Sequence, residues 1–458
     1  MAENVNIKEY QKMNKIKMKI FYITIAGILL FFVPTLSAQT KWSLDSCIHY
    51  AIEHNYTIKQ NLLMLETKRI ELTSSKMNIA PSVSASVGQN LDFGRAPLAN
   101  GVIENQSQAT TSLGIYLNMP LFEGLRNHYQ IQAGKLDLQA AINDLQQAKE
   151  NIELNVSAYY LQVLLCKEVL EIANEQAMLS EAQITRIETL VKNGKSPNSE
   201  LYTAKATFAA DQYNITDASN NLRLAFLDLK QLLNLSESND FDITDIQEED
   251  FERLLHRNID LSTIVNNGIL HRPNIKAVQN RIEMSKKNIG MARSGWYPSL
   301  GFSASYGTGY YYAFQNEYME HNLPFNTQFS NNSRGMLAFS LNVPLFDKLS
   351  TYHNVQRSKI NLKSYEIQLE ETKANLTKEI EQAYTNAIAS KEKYLSAETY
   401  LEAAQIAFEY EEIRYNAGAS AIFEYDDAKT KYRRAQSDLV QSKYSFLIRL
   451  KIIDFYGK

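Results

Sequence analysis

Residues 297–346 decide the fold: YPSLGFSASYGTGYYYAFQNEYMEHNLPFNTQFSNNSRGMLAFSLNVPLF. Apolar or aromatic side chains alternate with serine and glycine over 300–310, and a second alternation runs over 337–343. Period-two alternation predicts β-strands, and a strand of about ten residues suits a tilted crossing of a lipid bilayer. The stretch therefore predicts a hairpin, 298–344, whose two strands can cross a membrane.

A second copy of this hairpin occurs earlier, at 81–120. Both hairpins end in the same three residues, Pro-Leu-Phe, which begin at Pro120 and at Pro344. These prolines are separated by the same 224 positions as Gly194 and Gly418, which lie in later turns. An offset that recurs along nearly the whole chain indicates two internal structural repeats.

The duplication divides the chain into four segments. They are a candidate signal peptide at 1–38, a first structural repeat at 39–235, an acidic linker at 236–261 and a second repeat at 262–458. Each repeat is predicted to contain a helix, the hairpin, a helix of about 70 residues without proline, a tight turn and a last helix. Helices this long are expected to pair in a coiled-coil-like bundle. The linker is expected to pack outside the main body.

The first 38 residues have the pattern of a targeting segment. Four lysines between positions 12 and 19 precede the apolar run 20–36, and small residues follow at Ser37 and Ala38. This pattern predicts a cleaved signal peptide, and the alternative is an uncleaved transmembrane anchor. No later run of about 20 apolar residues follows, so a membrane-spanning form of the mature chain would be a closed β-barrel.

Composition argues against several functions. Lys and Arg (47) nearly balance Asp and Glu (51), which speaks against a nucleic-acid surface. The seven histidines are scattered, and Cys47 and Cys166 form no metal-ligand pattern; whether they pair stays open. The chain has no phosphate loop, nucleophile elbow or dinucleotide fingerprint. We therefore expect no enzyme activity, no catalytic residue, no cofactor and no metal.

Charged residues beside the two turns are the candidate functional cluster. Glu424 and Asp427 lie three residues apart near the start of the last helix, so they share one helix face, and Glu200 is the first-repeat equivalent of Glu424. These carboxylates either stabilise the helix dipole or form a ring at a pore entrance, which selects cations. Gly194 and Gly418 are expected to have positive φ angles.

Several motifs together resemble the TolC-type outer membrane efflux proteins. In the order of that family they are WSLDSCIHYAIEHN at 42–55, PSVS at 81–84, PLFEG at 120–124, and YNAG at 415–418 followed by Glu424 and Asp427. The resemblance covers about residues 40–456. It implies a mixed α and β membrane protein, in which a homotrimer forms a 12-stranded transmembrane β-barrel that continues into a 12-helix periplasmic α-barrel.

The resemblance also implies that the periplasmic end of the tunnel closes at the two turns. In the family, periplasmic adaptor proteins dock there, which assigns the docking tips to Gly194, Lys195, Gly418 and Ala419. The family's linker and chain ends form an equatorial belt around the tunnel, which assigns that position to 236–261.

A periplasmic entrance gate follows from the same resemblance. Its implied residues are Glu424, Asp427, Glu200, Tyr415 and Arg414. Tyr415 matches a family tyrosine that helps to hold the closed tip. Ser420 stands where the family has an arginine, and Arg414 is the candidate substitute.

The resemblance thus implies a passive exit duct in the cell outer membrane with a long periplasmic extension. Its expected partners are outer membrane lipid, a periplasmic adaptor and an inner-membrane transporter that supplies the energy. The main alternative is the outer-membrane component of a type I protein or peptide secretion system. A second alternative is an exported coiled-coil scaffold or adhesin without a pore. Such a scaffold does not need the serine-rich strand faces, which suit a water-filled lumen.

Overall fold

A computed structural model describes residues 41–97, 101, 103–105, 107–235, 241–246, 248–314 and 322–457. The predicted signal peptide, 1–38, and two parts of the predicted linker, 236–240 and 247, lie outside the described residues. Every helix within the described ranges is too short or too polar to span a lipid bilayer.

The long helices and strands follow one another in the same order in both halves, and the halves differ in the short elements between their long strands. The first half contains α1 (Leu44–His54), α2 (Tyr56–Met77), β1 (Ser82–Asp92), β2 (Arg95–Pro97), β3 (Ile103–Asn105), β4 (Gln108–Glu123), α3 (Arg126–Lys192) and α4 (Asn198–Leu233). After α5 (Glu248–Leu255), the second half contains α6 (Leu261–His271), α7 (Pro273–Arg293), β5 (Ser299–Ala313), α8 (Phe325–Asn331), β6 (Arg334–Asn342), α9 (Ser350–Asn416) and α10 (Ile422–Gly457). Corresponding helices match in length: α3 and α9 have 67 residues each, and α4 and α10 have 36 each.

The four long strands form one antiparallel sheet in the order β1-β4-β5-β6. Val83 lies opposite Leu117, and Leu117 lies opposite Ala304 on its other side. Because opposite residues of antiparallel strands share a face, one face of the sheet is apolar and the other is rich in serine. The apolar face includes Val83, Leu113, Ile115, Leu117, Leu300, Phe302, Phe339 and Leu341. The second face includes Ser82, Ser84, Ser112, Ser303 and Ser340.

The helices extend away from the sheet as four parallel columns. Helix α3 packs along α2 in one part of its length and along α4 in the other, and α9 packs in the same way along α7 and α10. Helices α7 and α10 also contact α3, so they join the two halves. Two of the columns are therefore the single long helices α3 and α9. Each of the other two consists of two shorter helices, α2 with α4 and α7 with α10, which together run along a long helix.

The single helix predicted before the hairpin of each repeat is broken into two helices. Asn55 separates α1 from α2, because its side-chain oxygen accepts from the backbone N–H of Thr57 at 2.8 Å and starts a new helix. Pro273 is the first residue of α7, where its missing N–H is not needed, and it interrupts the earlier helix.

The expectation that the linker packs outside the main body is wrong. Ile243 and Phe251 are fully buried in the largest core cluster. Backbone hydrogen bonds of 2.8 and 3.0 Å join Trp42 to Asp242 and Thr244, and the Phe251 ring meets the Tyr394 ring at 5.0 Å. A few apolar side chains among the acidic residues therefore pack this segment against the core.

Candidate functional site at the helix turns

The turns after α3 and α9 have the same backbone. Gly194 has φ 69° and Gly418 has φ 73°, so the expectation of positive φ is confirmed at both turns. The next residues, Lys195 and Ala419, each donate a backbone hydrogen bond of 2.9 Å to the carbonyl five residues earlier. This pattern ends a helix at a glycine in the left-handed region. The chain therefore reverses direction in the same way at the two predicted docking tips.

A hydroxyl–carboxylate pair follows each turn. Ser196 donates to Glu200 at 2.5 Å, and Ser420 donates to Glu424 at 2.5 Å, which supports the predicted equivalence of the two glutamates. The Ser420 hydroxyl, and then the Arg414 guanidinium, hold the pKa of Glu424 below its usual value. Glu424 is therefore ionised at neutral pH.

Arg414 and Ser420 share the carboxylates of the second turn. The Arg414 guanidinium lies 2.8 Å from Glu411 and 3.9 Å from Glu424. The Ser420 hydroxyl also contacts Glu411. Ser420 is uncharged at the position where the resemblance leads us to expect an arginine. The cation beside these carboxylates is the Arg414 guanidinium.

Asp427 has a separate partner. Its carboxylate forms an ion pair of 2.7 Å with Lys431, one helical turn further along α10. The side chains of Glu424 and Asp427 are 54 % and 50 % exposed, whereas Tyr425 between them is buried. Both predicted gate carboxylates therefore lie on the open side of α10; Asp427 pairs with Lys431, and Glu424 shares Arg414 with Glu411.

Four aromatic residues pack inside the second turn. Tyr415 stacks on Tyr425 with ring centroids 5.0 Å apart, and Phe408 stacks on Tyr432 at 5.5 Å. Burial raises the pKa of Tyr425 to about 12, and burial, followed by the charge of Glu200, raises the pKa of Tyr415. Both phenols stay neutral, so Tyr415 acts in this cluster through packing and hydrogen bonding.

Arg186, which the sequence reading missed, ties the first half to the second turn. Its guanidinium carbon lies 5.1 Å from the centre of the Tyr415 ring, and the group donates to the side chain and carbonyl of Asn416. Arg186 belongs to α3, whereas Tyr415 and Asn416 end α9. One arginine on a 67-residue helix has no local motif around it that could have revealed this contact.

A buried ion cluster lies further from the turns, where α3, α4 and α10 meet. The Asp211 carboxylate, 4 % exposed, lies 3.0 Å from the Arg433 guanidinium and 3.5 Å from the Lys429 ammonium, and it accepts a hydrogen bond from Ser180. Burial lowers the pKa of Lys429, and the attraction of Asp211 opposes this shift. The cluster thus joins both hairpins through charge as well as packing.

The sequence contains a signal for the burial of Asp211. Residues Ala204, Asp211, Ala218 and Ala225 are buried at seven-residue intervals along α4. Seven-residue spacing marks the seam of a coiled coil. An aspartate at a position otherwise held by alanine indicates a buried charge that needs a partner.

Within the described ranges, no group of three or more histidine, cysteine, aspartate or glutamate side chains is arranged to hold a metal ion.

A family model described as outer membrane efflux protein matches residues 48–235 and, a second time, residues 264–453. The chain belongs to the outer membrane efflux protein family. This efflux protein is therefore a protein of the cell outer membrane with a long periplasmic extension. The resemblance drawn from its motifs is confirmed.

Individual relatives are distant but match along most of the chain. Toxin and drug export protein A of Aggregatibacter actinomycetemcomitans is 20% identical over 416 residues, covering 88% of this chain and 83% of that protein. The toluene efflux pump outer membrane protein TtgF of Pseudomonas putida is 22% identical over 285 residues, covering 60% and 57%. The crystal structure of the Campylobacter jejuni CmeC outer membrane channel superposes with a TM-score of 0.75 at 18% identity, covering 90% of this chain and 85% of that one. The efflux protein shares the fold of that channel.

Proposed function

We propose that three copies of this efflux protein form a passive exit duct across the outer membrane and the periplasm. The observation that carries the proposal is the four-stranded sheet, which has one apolar face and one serine-rich face. An apolar face suits lipid, and a face of small hydroxyl side chains suits a water-filled lumen.

The edges of the sheet favour assembly of several copies. Among the residues that the structure describes, strands β1 and β6 each pair on one side only. Unpaired strand edges cannot be left open to lipid, so β6 of one copy is expected to pair with β1 of the next. Four strands from each of three copies close a 12-stranded barrel, and the four helical columns of each copy form a 12-helix tunnel from the two structural repeats.

The turns supply the proposed entrance and its docking surface. Glu424 and Asp427 of each copy line the periplasmic entrance, Glu200 lies nearby, and Tyr415 and Arg414 hold the second turn. A periplasmic adaptor docks at the tips Gly194, Lys195, Gly418 and Ala419 and connects the duct to an inner-membrane transporter. The exposed positions of Glu424 and Asp427 support this assignment, because a gate residue must reach the lumen.

Two classes of cargo fit the duct. The name of the Pseudomonas relative indicates efflux of a small apolar molecule, and the name of the Aggregatibacter relative indicates both drug and toxin export. Small-molecule efflux is the proposed function, and type I protein or peptide secretion is the alternative. Deleting the gene and measuring both sensitivity to toxic compounds and the set of secreted proteins separates them. Greater sensitivity with unchanged secretion supports efflux, and the reverse result supports secretion.

Two neighbouring substitutions test the proposed membrane face. Leu341 belongs to the apolar face and Ser340 to the serine-rich face. An arginine on the lipid side near mid-depth is expected to cost about 2–4 kcal/mol, so Leu341→Arg should reduce the amount of protein in isolated outer membranes. Ser340→Arg places the same side chain in the lumen and is the matched control. Equal insertion of the two variants would contradict the assignment of the faces.

A further inference from the structure

Residues 322–332, which lie between β5 and β6 and are called the strap here, pack against the sheet. Strand β5 continues to Ala313, but β6 pairs with it only as far as Gly307. On the side of β6, the last six residues of β5 therefore extend beyond the end of the neighbouring strand. The strap, which contains the short helix α8, occupies this place.

Side-chain amides of the strap replace the missing strand. Gln328 accepts from the N–H of Tyr311 at 2.9 Å and donates to the carbonyl of Tyr311 at 2.8 Å. Asn322 makes the same two bonds to Ala313, both at 3.0 Å. Residues two apart on a strand point their backbone groups to the same edge. The two amides therefore satisfy the open edge of β5 as a neighbouring strand would.

The strap directs its aromatic rings to one face of the sheet. The Phe325 ring lies 5.3 Å from Tyr310 and 5.4 Å from Phe329. Tyr310 follows Leu300 and Phe302 at even positions of β5, so it lies on the apolar face. Phe325 and Phe329 are nevertheless 49% and 39% exposed, and Leu323 is 58% exposed. The strap thus extends the apolar face beyond the end of β6.

We propose that the strap is a lipid-docking element that anchors the barrel in the boundary between headgroups and acyl chains. This proposal rests on the proposed membrane-spanning function. The segment NLPFNTQFSNN at 322–332 contains no charged residue, and its exposed rings continue the face assigned to lipid. Tyrosine concentrates at this boundary because its ring is apolar and its hydroxyl can reach water, and the Phe325 ring of the strap packs against Tyr310. A second copy of the chain is a less suitable occupant, because the rings lie over the apolar face and not along the edge where copies would pair.

Fluorescence quenching by brominated phosphatidylcholine tests this proposal. Trp42 and Trp296 are first replaced by phenylalanine, and single tryptophans are then introduced as Phe329→Trp, Leu337→Trp and Thr327→Trp. Leu337 lies on the apolar face opposite Ala304, near the middle of β5. Thr327 is exposed, and at about 100° per residue it points away from Phe325 and Phe329.

In reconstituted vesicles, Phe329→Trp should be quenched more by bromines near the headgroup than by bromines near the chain end. Leu337→Trp should show the opposite order, and Thr327→Trp should be quenched least. If Leu337→Trp is quenched by lipid but Phe329→Trp is not, the strap does not contact lipid and the proposal is wrong, while the membrane-spanning function stands. If neither is quenched, the membrane-spanning function is wrong as well.

Discussion

The α3–α4 and α9–α10 hairpins have equal lengths and the same glycine turn, yet their interiors differ. Asp211 is buried in the first hairpin, and the residue 224 positions later is the fully buried Ala435. Tyr415 and Tyr425 stack inside the second turn, whereas Val191 and Leu201 hold the corresponding positions of the first. The two hairpins thus share one backbone and one kind of turn. A few different side chains give each hairpin a different interior.

Removing the charge that is specific to the first hairpin should have the largest effect. Asp211→Ala leaves the Lys429 ammonium and the Arg433 guanidinium without their shared carboxylate. Breaking a buried ion pair by removing one partner costs about 3–5 kcal/mol, which chemical unfolding in detergent, followed by circular dichroism, would detect.

The corresponding change in the second hairpin, Ala435→Asp, buries a carboxylate at a fully enclosed position and should also destabilise the fold. The double variant Asp211→Leu with Lys429→Leu should recover much of the loss, because it replaces part of the buried pair with apolar groups. An Asp211→Ala variant as stable as the unchanged protein would show that the cluster does not stabilise the contact between the hairpins.

Breaking the shared turn should have a smaller effect. Left-handed backbone costs an ordinary residue roughly 1–2 kcal/mol, and a Cβ atom on Gly194 or Gly418 would meet no described atom within 4 Å beyond its two chain neighbours. Gly194→Val and Gly418→Val should therefore distort the tips through backbone strain alone. Adaptor cross-linking at Lys195 and Ala419 should fall while the trimer still assembles.

The control for these variants is Ala417→Val, since Ala417 has an ordinary φ of −81° next to the glycine. This variant should keep its cross-linking yield. Unchanged cross-linking in both glycine variants would mean that the tips are not the adaptor contact.

The smallest expected effect concerns a carboxyl specific to the second hairpin. Burial raises the pKa of Asp426, and Lys429 only partly opposes this shift. A raised folded-state pKa means that the protonated form favours folding, so this contribution is present at low pH and is lost as the pH rises through the folded pKa. Asp426→Asn should therefore raise the unfolding midpoint at neutral pH, and the gain should disappear in acid. A gain that does not depend on pH would show that the ionisation of Asp426 is not its cause.

Much of the fold could be predicted from the sequence because its signals are periodic. Alternation located the four long strands, and the absence of proline located the two 67-residue helices. The breaks at Asn55 and Pro273 depend on single side chains, which periodicity averages away. The strap escaped prediction because side-chain amides that mimic a strand leave no pattern in the sequence.

The candidate site could be predicted only in part, for a similar reason. Gly194 and Gly418 were identified because positive φ is a demand of the local backbone. The contact of Arg186 with Tyr415 and the ion cluster at Asp211 join residues that are far apart in the chain. The Arg186 contact follows from how the columns pack and has no local signature. The seven-residue spacing indicates that Asp211 is buried, but its partners on α10 also follow from the packing.

Single-channel recording is the most direct test of the central claim, that carboxylates of the second hairpin line the periplasmic entrance of an outer membrane duct. In a trimer, Glu424 and Asp427 supply six carboxylates around a narrow opening, where charges interact strongly. Glu424→Gln combined with Asp427→Asn keeps the size of both side chains and removes their charge. It should reduce cation selectivity and weaken block by multivalent cations added from the periplasmic side, and Glu200→Gln in the first hairpin should do less. Unchanged selectivity and block in the double variant would contradict the claim, and these carboxylates would then only stabilise the start of α10.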